Sequence, residues 1–101
     1  MSTHEIKAGN VAWVTGASSG IGKGVAERLA RTGMSVAISA RSADELNAIA
    51  ATSEKLHAFP LDITDNAAVE DTIARIEAQL GPIDLGLFCA ATWSVQDVET
   101  L

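Results

Sequence analysis

Cysteine, proline, tyrosine and positive charge are all scarce in this 101-residue chain, and each shortage removes a class of explanation. The one cysteine, Cys89, excludes an internal disulfide and fits a reducing, cytoplasmic setting. Seven lysines and arginines stand against thirteen aspartates and glutamates, a formal net charge of -6, with no local basic patch. Nucleic acid and anionic membrane surfaces are therefore not expected partners. No apolar run is long enough to cross a bilayer, and no leader segment is expected. His4, His57 and Cys89 show no metal-ligand spacing, so no metal is expected either. Tyrosine is missing altogether, which leaves no phenol to act as an acid or base.

What is present has an ordinary globular balance. The chain is 48% apolar and 20% charged, without repeats or low-complexity tracts, which suits a single domain with a modest core. After a polar lead over residues 1–10, Val11 to Ala17 is a short apolar run rich in β-formers and reads as a strand covered on both faces. Ile21, Val25 and Leu29, with Ala26 and Ala30 beside them, then form one apolar helical stripe, and Lys23, Glu27, Arg28 and Arg31 take the wet side. Gly33 ends that helix. Met34 to Arg41 is a second strand, and Ser42 with Glu45 makes a capping box for a helix running to about Ala51.

The scheme then repeats. Lys55 to Ile63 reads as a third strand containing Pro60, whose missing N–H is tolerable only on a sheet edge or at a bulge. Thr64 is placed to cap a third helix, in which Val69, Ile73, Ile76 and Leu80 recur at helical spacing until Gly81-Pro82 stops it. Ile83 to Ala91 supplies a fourth strand, and residues 92–101 read as a loop in which Trp93 lines a pocket or caps the core. Strand and helix alternating in this way predict an α/β fold with a parallel sheet and helices on both faces. Right-handed crossovers give the strand order 3-2-1-4. That order puts Pro60 on an edge and a topological switch point between the first and fourth strands, where α/β folds bind ligands.

Immediately beneath that point lies Thr15-Gly16-Ala17-Ser18-Ser19-Gly20-Ile21-Gly22. Amide groups in the first turn of a helix lack internal partners and lie at the positive end of its dipole, so they suit a phosphate. Gly16 permits a tight turn, Gly20 and Gly22 remove Cβ atoms near the phosphate and the strand–helix contact, and Ser18 and Ser19 offer hydroxyl donors. A loop of small residues serving close packing alone is the plainer alternative. The strand-to-helix context favours the phosphate. A nucleotide-triphosphatase loop would need glycine at Ala17 and Ser or Thr at Gly24, and fits at neither. A dinucleotide fits better: Arg41, at the end of the second strand, is placed to pair with a 2′-phosphate, where an NAD site would favour an acid.

These residues resemble the short-chain dehydrogenase/reductase family. Thr15 to Gly22 matches its Thr-Gly-x-x-x-Gly-x-Gly signature, Leu61 to Thr64 resembles its adenine-contacting segment, and the likeness runs from about Val11 to Ala91. The resemblance implies a Rossmann-like fold, of which residues 1–101 form a partial cofactor-binding domain. It also implies Asp62 bonded to the adenine amino group, Ile63 stacked nearby, and Ala90 and Ala91 beside the cofactor ribose, while Arg41 makes NADP the expected cofactor rather than NAD. Phe88, Cys89, Ala90 and Ala91 stand where the family normally has Asn-Asn-Ala-Gly, which removes polar bracing and adds a methyl group at the ribose. The family's Ser, Tyr and Lys of hydride transfer belong to a later half, and the chain stops at Leu101. No catalytic residue is therefore expected in it: His57 falls near the start of the third strand, away from the cofactor edge, and Cys89 reads as inert packing.

Two functions follow as expectations. One is the cofactor half of an oxidoreductase acting on a small-molecule carbonyl or alcohol, inactive as this chain alone. The other is a non-catalytic dinucleotide-binding module or fragment that pairs with another chain. In both, the fourth strand, with Ile83, Leu85, Leu87 and Phe88, would be an open edge inviting self-association.

Overall fold

All five residues of the first strand are buried, because it lies between two other strands and under helices on both faces. A computed structural model describes residues 10–17 and 20–88. Its elements are β1 (Val11–Thr15), α1 (Gly20–Arg31), β2 (Ser35–Ser39), α2 (Ala43–Ala50), β3 (Leu56–Ala58), α3 (Asn66–Leu80) and β4 (Leu85–Phe88). The four strands form one parallel sheet in the order β3-β2-β1-β4, the expected Rossmann-like arrangement.

Alternation along β1 divides the core into two layers. Ala12 and Val14 face α1 and α2, meeting Ala26, Leu29, Ala30, Leu46 and Ile49. Val11 and Trp13 face the opposite side, with Ile76 of α3, Phe59 and Leu61. Each fully buried Leu or Ile in these layers contributes about 1.5–3 kcal/mol relative to exposure. Asp84 closes the lower end of the sheet: its Oδ2 accepts from the Val11 amide at 2.9 Å, and its own amide donates to the Val11 carbonyl at 2.8 Å. These bonds set the register in which Ala12 pairs with Leu85.

Local chemistry explains the departures from the sequence pattern. β3 is three residues long and stops before Pro60. Phe59 still donates to Ile38 and Leu61 to Ala40, at 2.8 and 2.9 Å, so Pro60 occupies a position between two donors where no ladder bond is lost. Asp65, not Thr64, caps α3: its carboxylate accepts from the Ala68 amide, while Thr64 is bound back to Asp62. Ser42 caps α2 as expected, accepting from the Glu45 amide at 3.3 Å. Ile21 leaves the apolar stripe of α1 and is 74% exposed, because the stripe that the helix buries runs through Gly22, Ala26, Leu29 and Ala30 and leaves Ile21 at its solvent margin.

His57 is the middle residue of β3, in register with Ala37 and half-buried. Burial, reinforced by the positive charge of Lys55, lowers its pKa from 6.5. The folded state therefore binds the proton less readily than the unfolded chain, so this residue's contribution to stability is complete above pH 6.5 and is lost as pH falls below it. Urea titrations across that window should show stability rising with pH, and His57→Gln should flatten the rise.

Candidate functional site

The C-terminal ends of the strands carry those predicted site residues that lie among the described ones. At the end of β1 the chain turns through Gly16, with a φ of 72°, and enters α1 at Gly20, with a φ of 62°. Both values lie in the left-handed region that side chains disfavour. The third glycine has a different task. A Cβ on Gly22 would lie 2.2 Å from the Gly16 carbonyl oxygen and 3.1 Å from the Cα of Ala17, so a bare Cα is what lets α1 sit down on the turn. A Cβ on Gly20 would meet nothing within 4 Å, so that position opens onto free space.

Hydrogen bonds decide which amides of this turn remain for a ligand. Gly16 and Ala17 both donate to the carbonyl of Ser39, at 2.8 and 3.2 Å, and are thereby spent. Among the described residues, the next amides without helical partners are those of the first turn of α1. Its first turn holds no carboxylate and includes Lys23. The other two helix starts are neutralised from within: α2 by Ser42, Asp44 and Glu45, α3 by Asp65.

A second group of residues gathers beside this corner. The bond from the Leu61 amide to the Ala40 carbonyl runs the end of β2 alongside the segment after β3, bringing Arg41 next to Asp62. Both are exposed. The Asp62 carboxyl is held below its ordinary value of 3.8, first by the Thr64 hydroxyl, then by the Thr64 amide, with a smaller contribution from Arg41. Thr64 occupies Oδ1 through both bonds, at 2.6 and 3.0 Å, which turns Oδ2 outward as an acceptor. Ile63 follows, 45% exposed. Gly16, Gly20, Ile21, Gly22, Arg41, Asp62 and Ile63 thus share one end of the sheet. Ser18, Ser19, Ala90 and Ala91, with Cys89, lie outside the described residues.

Two participants were not singled out by sequence. Ser39, only 1% exposed, holds the turn through its carbonyl, and Trp13 donates its indole N–H to the Ser39 hydroxyl at 2.9 Å. Phe88 packs edge-on against Trp13, with ring centroids 5.7 Å apart. An apolar strand does not disclose which of its residues carries a turn; only the register does. A groove of about 420 Å³ lined by Glu27, Ala30, Arg31, Thr52, Ser53 and Leu56 lies at the opposite end of the strands, remote from this corner.

Comparison with known proteins identifies the family to which this fold belongs. The family model for short chain dehydrogenase matches residues 10–101. The chain belongs to the short-chain dehydrogenase family. It is 38% identical over 81 residues to 2,3-dihydro-2,3-dihydroxybenzoate dehydrogenase of Bacillus subtilis, a match covering 76% of this chain and 31% of that protein. Among solved structures it resembles a 3-ketoacyl-(acyl-carrier-protein) reductase from Brucella melitensis complexed with NADH, with a TM-score of 0.75 and 31% identity, over 78% of this chain and 33% of that one. A Brucella melitensis structure named ribose-5-phosphate isomerase superposes with a TM-score of 0.80 at 30% identity, over 88% and 34% of the two chains. The chain spans about a third of the length of these short-chain dehydrogenase relatives. Relatives carrying such different names share the fold and not one reaction.

Gly20 and Gly22 should respond differently to one added methyl group. Gly22→Ala drives Cβ into a backbone oxygen and should cost more than the roughly 1–3 kcal/mol of ordinary overpacking, whereas Gly20→Ala should cost about 1–2 kcal/mol of backbone strain. Thermal melts of the two variants check the order.

Proposed function

We propose that the corner above β1 binds a nicotinamide dinucleotide, NADP in preference to NAD, and that the chain supplies the cofactor-binding part of an oxidoreductase acting on a small carbonyl or alcohol substrate. The observation that carries this reading is the seating of α1: glycine at 22 brings the helix start against the end of β1, while the space beside Gly20 stays open. A diphosphate suits the charge there, since the first turn that supplies the amides is free of carboxylates. In this reading Gly16, Ser18, Ser19, Gly20, Ile21 and Gly22 form the diphosphate cradle, and the exposed Ile21 offers it an apolar wall. Asp62, acceptor-only when ionised, takes the adenine amino hydrogen, with Ile63 against the ring. Ala90 and Ala91 stand near the nicotinamide ribose.

Arg41 is assigned the 2′-phosphate. Its fork gives charge-assisted bonds to a phosphate, and among the described residues it is engaged in no salt bridge that would have to be broken first. The nicotinamide, when bound, supplies or accepts the hydride. The residues of this chain position it, and none is assigned the proton transfer, because the family's tyrosine is not among these 101 residues. Carbonyl reduction by the chain alone is accordingly expected to be absent. Competitive titration with NADPH and NADH tests the assignment: the wild type should favour NADPH, and Arg41→Asp should weaken NADPH by about 10- to 100-fold, the loss of one charged hydrogen-bonding group. Equal affinities in the wild type would remove the role given to Arg41.

A second reading, a binding module that pairs with another chain, draws on β4. Among the described residues β4 pairs with β1 alone, Leu85 and Leu87 are half-buried, and Phe88 is 63% exposed. An open strand edge with apolar side chains recruits further strands. Light scattering at high concentration should therefore show association beyond the monomer, reduced by Phe88→Lys. A monodisperse monomer would count against it.

A further inference from the structure

We propose that Ser39 is a positioning residue for the diphosphate cradle, held in place by Trp13; the inference rests on the dinucleotide reading above and adds to it the element that aims the amides. Ser39 is the last residue of β2 and pairs in register with Thr15, the last residue of β1. Beyond that rung the chain leaves the sheet, and the two amides that follow, Gly16 and Ala17, hang on the single carbonyl oxygen of Ser39. Wherever that oxygen sits, the turn follows, and with it the start of α1 that rests on the Gly16 carbonyl.

The side chain of Ser39 anchors the same rung. The Trp13 indole N–H reaches diagonally from β1 to the Ser39 hydroxyl, a buried bond of 2.9 Å between neighbouring strands. Trp13 has room to do so because its lateral neighbours in the sheet are small, Ala37 on β2 and Gly86 on β4. Phe88 then braces the indole from β4. Removing the hydroxyl leaves the indole donor buried without an acceptor, and the rung must shift or admit water to satisfy it. Among the described residues the Ser39 carbonyl is the only hold on the two turn amides, so the effect of the displacement is greatest at the diphosphate, whereas the adenosine end keeps a hold of its own in the bond from the Leu61 amide to the Ala40 carbonyl.

Two probes separate a positioning role from a loss of folding. NADPH engages the turn, whereas adenosine 2′-monophosphate carries the adenine, ribose and 2′-phosphate without the diphosphate. In Ser39→Ala, NADPH affinity should fall by about tenfold while adenosine 2′-monophosphate affinity stays at the wild-type value. Trp13→Phe, which keeps an aromatic ring but no donor, should act in the same direction and serves if Ser39→Ala does not fold. Equal losses for both probes would mean that only the folded fraction changed, and unchanged NADPH binding would mean that the rung does not steer the cradle; either result overturns the proposal. A wild-type chain that binds neither probe overturns the dinucleotide reading, and the positioning role with it.

Discussion

The contact between the Cα of Gly22 and the carbonyl of Gly16 governs how this molecule is arranged at its business end. A helix cannot begin against the end of a strand unless something at the junction is small. At this junction a single methyl group would intrude to 2.2 Å of a backbone oxygen. With the methyl absent, α1 starts directly over the first strand, lays Ala26, Leu29 and Ala30 across the sheet, and leaves its first amides at the switch point. Packing and ligand geometry are thus one constraint seen from two sides. Gly16 and Gly20 serve the same junction through backbone conformation instead of space.

Charge is distributed to match. Three helices start at or near the C-terminal ends of the strands, and each helix start concentrates positive potential. Two of them are answered by their own side chains, through Ser42, Asp44 and Glu45 in α2 and Asp65 in α3. The start of α1 has no carboxylate of its own, although the chain as a whole carries a net charge of -6. An acidic protein that keeps one helix start clear of acids leaves the positive end of that helix dipole unopposed by its own first turn. The same end of the sheet also gathers the exposed apolar residues Ile21, Ile63 and Phe88.

How much of this was legible in the sequence differs between fold and site. The alternation of apolar runs and helical stripes, punctuated by Gly33, Ser42 and Gly81, specified seven elements in order, and right-handed crossover then leaves 3-2-1-4 as the natural arrangement. Element ends were less legible. Thr64 and Asp65 are both competent caps, and only the bond of Thr64 back to Asp62 shows why Asp65 takes the helix. Ile21 obeyed the helical period and still faces solvent, because the buried stripe settles on Gly22, Ala26, Leu29 and Ala30 and leaves Ile21 at its margin.

The sequence by itself determined the class of fold, the position of the glycine turn and its family signature, since these depend on local conformation and on the spacing of residues a few positions apart. Tertiary structure decided the rest: which turn amides are spent on Ser39, that Gly22 serves packing while Gly20 borders open space, that Arg41 and Asp62 stand side by side, and that Trp13 and Ser39 share a buried bond. The physical reason is register. Contacts between residues far apart in the chain exist only after parallel strands align rung by rung, and that alignment is set by the sheet as a whole.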